Sequence, residues 1–262
     1  MQAVLFVGHG SRVEAGRLQA ADFIRKCLDE IDVPIREFCF LELAEPSIEE
    51  GIARCVEQGA TRIAVLPLLL LTAGHAKKDI PAKLREIGRH YPHLTIDYGA
   101  SLGVHNAIID ILFERIYEQA PIADDASVLI VGRGSSDPGI KTDFANIVRL
   151  FKKRHSFRRV RTAYLAAAEP RFEEGLEEMR ATDSSQIFVV PYLLFTGVLM
   201  TEMGQKITEL NADEGESQFV LCHSLGYHPN LKQVVLERVA ETIQSTGADS
   251  DGFLSIDGGY RK

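Results

Sequence analysis

The stretch AVLFVGHGSR (3–12) returns 124 residues later as SVLIVGRGSS (127–136). Each is a short apolar run ended by glycine, which reads as a buried parallel strand running into a loop. The same offset carries FLELAEPSIEEG (40–51) onto YLAAAEPRFEEG (164–175), and IAVLPLLLLTAGH (63–75) onto IFVVPYLLFTGVL (187–199). After a slip of one residue, SLGVH (101–105) aligns with SLGYH (224–228). The chain is therefore written twice, and its two copies can be compared with each other. Positions kept in both copies serve the fold, whereas positions kept in one are candidates for chemistry. By that filter three residues stand out: His9 is replaced by Arg133, Glu42 by Ala166 and His75 by Leu199.

Strand and helix patterns alternate through both copies. Strands are predicted over 3–8, 33–42, 62–71 and 94–99, with helices over 12–31, 45–58, 76–91 and 105–119. The second copy repeats the order, with strands over 127–132, 158–164, 186–192 and 217–222 and helices over 138–154, 169–180, 198–211 and 228–244. This alternation predicts an α/β protein of two tandem Rossmann-like domains, each a parallel sheet flanked by helices. The first domain is placed at 1–122 and carries the histidines; the second, at 126–245, lacks them. The polar, aperiodic PIADDAS (121–127) separates them, and the Gly-, Ser- and Asp-rich tail 246–262 is expected to be loose. The stretch Glu45-Pro46-Ser47 is expected to open its helix, with Pro46 near the first turn and Glu45 helping to start it.

Composition narrows the function classes. With 262 residues, 45% hydrophobic and 25% charged, the chain has the make-up of an ordinary globular protein. A net charge of −8 argues against a general nucleic-acid binder, although a local basic cluster can still receive an anion. The four cysteines show no CxxC spacing, which suits reduced thiols in a cytoplasm. The N-terminus reads as a strand rather than a signal peptide, and the apolar run around Pro67 is too short to span a bilayer.

In open parallel sheets ligands bind beyond the carboxyl ends of the strands. His9 follows the first strand, Glu42 ends the second and His75 follows the third, so all three are expected at one sheet edge. Two imidazoles and a carboxylate suit Fe(II), Co(II), Ni(II) or Zn(II). The rival readings are a turn-capping role for His9, a solvated loop for His75 and plain exposure for Glu42. GHGSRV lacks the third glycine of a dinucleotide loop, and no Walker lysine is present. His105 and His228 recur at the same helix start and are read as structural, while His90, His93, His155 and His223 have no partner spacing. Arg12 and Arg133, with Ser11 and Ser135, sit in the glycine-bounded loops of the two copies and are candidate contacts for an anionic substrate. If the halves face each other, Arg133 lies opposite the histidines.

GHGSR, FLELAEP and PLLLLTAGHAKKDIP, with GRGSSDP and VVPYLLFTGVLM in the second copy, resemble the class II tetrapyrrole chelatases. In its two-copy form the chain is similar to the sirohydrochlorin ferrochelatases, with cobaltochelatases as close kin. The resemblance covers nearly everything except the tail. It implies insertion of Fe(II) into sirohydrochlorin, a polycarboxylate tetrapyrrole, by a cytoplasmic lyase that needs no cofactor beyond the substrate metal. It places the active-site histidines at His9 and His75 and the acidic residue at Glu42, the same set that the repeat singles out. Long cobaltochelatases often carry a histidine-rich or iron–sulfur tail, which is missing here and tilts the reading toward iron. The alternatives are cobalt or nickel insertion, a non-catalytic metal or tetrapyrrole carrier, and a Rossmann-like binding protein without metal. A fused two-copy chain is expected to work as a monomer, without nucleic-acid or membrane partners.

Overall fold

The computed structural model describes residues 1–212, 217–244 and 254–255. Their contacts form two compact units, Met1–Gly103 with Lys232–Lys262, and Val104–Leu231.

In the first unit β1 (Gln2–Gly8), β2 (Ile35–Phe40), β3 (Arg62–Pro67) and β4 (Thr95–Tyr98) are parallel, in the order β2-β1-β3-β4. The helices between them are α1 (Glu14–Leu28), α2 (Ile48–Glu57) and α3 (Ile80–Gly88). Ala3, Leu5 and Val7 join a core with Ile48 and Ile52 of α2 and Ile80 and Leu84 of α3. Val4 and Phe6, which alternate with them along the strand, are also buried, so the sheet is covered on both faces.

The second unit repeats the plan. Its strands β5 (Ser127–Gly132), β6 (Val160–Tyr164), β7 (Gln186–Tyr192) and β8 (Gln218–Leu221) lie parallel in the order β6-β5-β7-β8. Its helices include α5 (Gly139–Lys152), α6 (Phe172–Arg180) and α7 (Val198–Ala212). Register is kept along with order: Val7 pairs with Pro67 as Val131 pairs with Pro191.

The repeat in the sequence and the compact units divide the chain differently. Helix α4 (Asn106–Tyr117) falls in the second unit, where Arg115 donates to the carbonyls of Ser224 and Leu225. Helix α8 (Pro229–Gln244) falls, from Lys232 onward, in the first, where Arg238 donates to the carbonyl of Leu102. Arg115 and Arg238 are equivalent in the repeat, as are Leu225 and Leu102. Hydrophobic periodicity identifies a helix and its apolar face but not the sheet which that face will cover.

Several elements differ locally from expectation. The apolar run 62–71 stops being a strand at Pro67, and the following residues form a loop whose Leu69 and Leu70 carbonyls accept from Leu102 and Gly103. Pro46 lies outside α2 and follows a cis peptide bond. Ser47 is the N-cap, its hydroxyl accepting from the Glu50 amide while the Glu50 carboxylate accepts from the Ser47 amide. Glu45 therefore does not start the helix. His105 caps α4 by accepting from the Ala107 amide, and His228 accepts from Asn230 in the same way, as expected of a pair kept in both copies. The tail expected to be loose lies outside the described residues except for Leu254–Ser255, a two-residue strand β9 antiparallel to β4. No helix among the described residues is long and apolar enough to cross a membrane.

All four cysteines are free and buried. Burial pushes the Cys27 and Cys55 thiols up to about 12 and raises those of Cys39 and Cys222 as well. A disulfide reagent at about pH 8, near the ordinary thiol range, is expected to leave the native protein unlabelled and to titrate four thiols in guanidinium. Rapid labelling of the native protein would contradict this packing.

Candidate metal centre

In each sheet the chain leaves the first strand toward one edge and later crosses to the other side for the third. The crevice between those two strands, beyond their carboxyl ends, is the usual ligand site of such a sheet. His9 is the first residue after β1, and His75 lies in the connection from β3 to α3.

Glu42 reaches the same place through backbone pairing. Beyond the strands, the Leu41 amide donates to the Gly8 carbonyl and the Glu42 amide to the His9 carbonyl. Gly10, at φ 95°, permits this approach, because a Cβ there would stand 1.7 Å from the Glu42 carbonyl oxygen. The second unit has the same construction: Leu165 donates to Gly132 and Ala166 to Arg133, with Gly134 at φ 86° and its virtual Cβ 1.8 Å from the Ala166 oxygen. The scaffold is thus common to both copies, and only the side chains on it differ.

His9, Glu42 and His75 together form a group whose potential ligand atoms all lie within 4.8 Å of one another. His9 Nε2 is 3.5 Å from Glu42 Oε1, and the two imidazoles meet edge to face with centroids 4.9 Å apart. Metal–ligand bonds of about 2.0–2.2 Å allow donor atoms to be at most about 4.4 Å apart, so small side-chain shifts would close the group on an ion. His9 Nδ1 faces the Gly10 carbonyl at 3.2 Å. A carbonyl only accepts, so that contact suits a proton on Nδ1, and in the neutral ring the lone pair is then on Nε2, toward Glu42. Two electron-rich atoms facing each other are stabilised by a cation or a proton between them. The side chains of His9, Glu42 and His75 are 26%, 46% and 33% exposed, while the His9 Nε2 atom itself is buried against its neighbours.

The other residues expected at the site are placed as follows. Ser11 accepts from the Val13 amide and Ser135 from the Asp137 amide, so each hydroxyl closes its own loop. Arg12 and Arg133 are exposed in those loops. Arg133 and Ser135 belong to the second unit, where Ser135, Asp137, Lys141, Glu169 and Arg171 help to line a recess of about 440 Å³. The sequence reading overlooked Asp79, whose Oδ2 is 2.7 Å from His75 Nδ1. The i,i+4 spacing of the pair was a usable signal, and so was the replacement of Asp79 by Met203 in the second copy.

The CbiX family matches residues 3–119 and 127–242. The chain is 49% identical over 254 residues to a sirohydrochlorin ferrochelatase of Priestia megaterium, covering 97% of this chain and 95% of the relative. It is 35% identical over 250 residues to a sirohydrochlorin cobaltochelatase of the same organism, covering 93% and 81%. The solved structure of SirB from Bacillus subtilis with Fe3+ superposes with a TM-score of 0.86 at 40% identity, covering 95% of this chain and 98% of that one.

Gly10→Ala is expected to destabilise the protein by about 2 kcal/mol or more, since it adds both a clash and a left-handed side chain. Gly134→Ala should do the same in the second unit. Urea unfolding midpoints check this, and an unchanged midpoint for Gly10→Ala would contradict the loop contact.

Proposed function

The chain belongs to the CbiX family, and from that premise we propose that it inserts Fe(II) into sirohydrochlorin to give sirohaem. The observation that carries this reading is the metal-sized group of His9, Glu42 and His75 at the sheet edge. Iron is preferred to cobalt because the similarity to the ferrochelatase, 49%, exceeds that to the cobaltochelatase, 35%, over nearly the same residues.

The reaction exchanges two pyrrole N–H protons for one divalent ion, with no change of oxidation state. In our reading His9 and His75 hold the incoming metal and pass it to the ring, and an imidazole freed of metal accepts a proton. Glu42 balances the ion's charge and is a second proton acceptor. In the first unit Arg12, with the neighbouring Ser11, is the proposed contact for the macrocycle's carboxylates, and Arg133 and Ser135 occupy the equivalent loop of the second unit as candidate contacts for an anionic group. The metal is a substrate, and no other cofactor enters the scheme. The reaction class is that of a lyase. We place the protein in the cytoplasm as a monomer, where its buried thiols would stay reduced.

Following sirohydrochlorin absorbance with Fe(II), Co(II) and Ni(II), with and without protein, tests the reading. Acceleration over the spontaneous reaction, greatest with Fe(II), is expected. Binding without acceleration would make the protein a carrier. His9→Ala and His75→Ala should each lower the rate by about 100-fold or more, and wild-type rates in both would remove these residues from the chemistry.

A further inference from the structure

We infer that Asp79 is a positioning residue that fixes the tautomer and orientation of His75, with Tyr98 holding the turn on which both sit; this rests on the metal-handling role proposed for His75. Residues His75–Asp79 form a π-helical turn, in which the wider coil sets residues differently from a regular helix. Asp79 Oδ2 lies 2.7 Å from His75 Nδ1. A carboxylate only accepts, so this contact puts the proton on Nδ1 and leaves the lone pair on Nε2 for an incoming ion. The same turn is tied from below, because the buried Tyr98 hydroxyl donates to the Ala76 carbonyl at 3.0 Å. Burial raises the Tyr98 pKa, which keeps the phenol a neutral donor.

The duplication provides independent support. In the second copy His75 becomes Leu199 and Asp79 becomes Met203. Tyr98 is matched by Leu221, since Val65 pairs with Tyr98 as Val189 pairs with Leu221. Met203 and Leu221 instead belong to the apolar cluster of the second unit, and the corresponding stretch is an α-helix from Val198 onward. The histidine, its carboxylate, the phenol and the π turn are present together in one copy and replaced together in the other. A carboxylate kept only for solubility or helix charge would have no reason to follow the histidine. Lys77 and Lys78, on the same turn, are exposed.

The test is long-range proton–nitrogen NMR of the imidazoles in the full-length, metal-free protein, at a pH where the rings are neutral. The wild type is expected to show His75 as the Nδ1–H tautomer, and Asp79→Ala to show a mixture. Cobalt(II) titration should then weaken by about 10- to 100-fold in Asp79→Ala, the range typical of groups that orient a metal-binding histidine. Asp79→Glu, which restores a carboxylate on a longer arm, should recover part of that affinity. An Nε2–H tautomer in the wild type, or an unchanged tautomer and cobalt affinity in Asp79→Ala, would overturn the inference. The tautomer is read without turnover, so its outcome is separate from whether the protein proves to be a chelatase.

Discussion

The site depends on one close approach: the loop after β2 lies directly on the loop after β1, and only a residue without a side chain can occupy position 10. Two amides extend the sheet's hydrogen bonding past the strand ends, Leu41 to Gly8 and Glu42 to His9. This pairing fixes where the Glu42 backbone sits, and the Glu42 carboxylate reaches His9 as a consequence. Both copies have the pairing, with glycine at the contact in each. The constraint therefore belongs to the fold, and the chemistry is an addition to it. Ala166 occupies the place of Glu42 beside Arg133 on the same backbone.

The strand order supplies the rest. Because β1 lies between β2 and β3, loops from three strands converge on one sheet edge without any long excursion of the chain. His9 and Glu42 come from loops that are hydrogen-bonded to each other, whereas His75 arrives on a separate connection. On that connection the Tyr98 hydroxyl meets the Ala76 carbonyl and Asp79 meets His75. The two imidazoles then meet at nearly a right angle.

Much of this was legible in the sequence, because repetition separates scaffold from chemistry. The alternation of apolar runs and amphipathic stretches located the strands, and strand-end logic brought His9, Glu42 and His75 together. Asp79 is not legible in the same way, because an exposed aspartate on a helix suggests a solvated face. Tyr98 sits inside a strand and reads as core until its hydroxyl is traced to Ala76. The exchanged positions of α4 and α8 were not readable from pattern, because both helices would find an equivalent sheet in either unit. Pro46 stands next to the helix start, just before the cap, because the Ser47 side chain can accept from the backbone and that of proline cannot.

The second copy also shows what a polar site demands of its surroundings. An imidazole, a carboxylate and a phenol close together must each be hydrogen-bonded or left open to water, and neither state gains what apolar packing gains. Where the second copy no longer carries these groups, Leu199, Met203 and Leu221 take their places, and Met203 is fully buried. The turn becomes regular α-helix once no side chain needs the wider coil. The π turn of the first copy is therefore maintained against the ordinary preference for a straight helix start. Asp79 meets His75 within that turn and Tyr98 meets the Ala76 carbonyl on it, as the positioning role inferred for Asp79 requires.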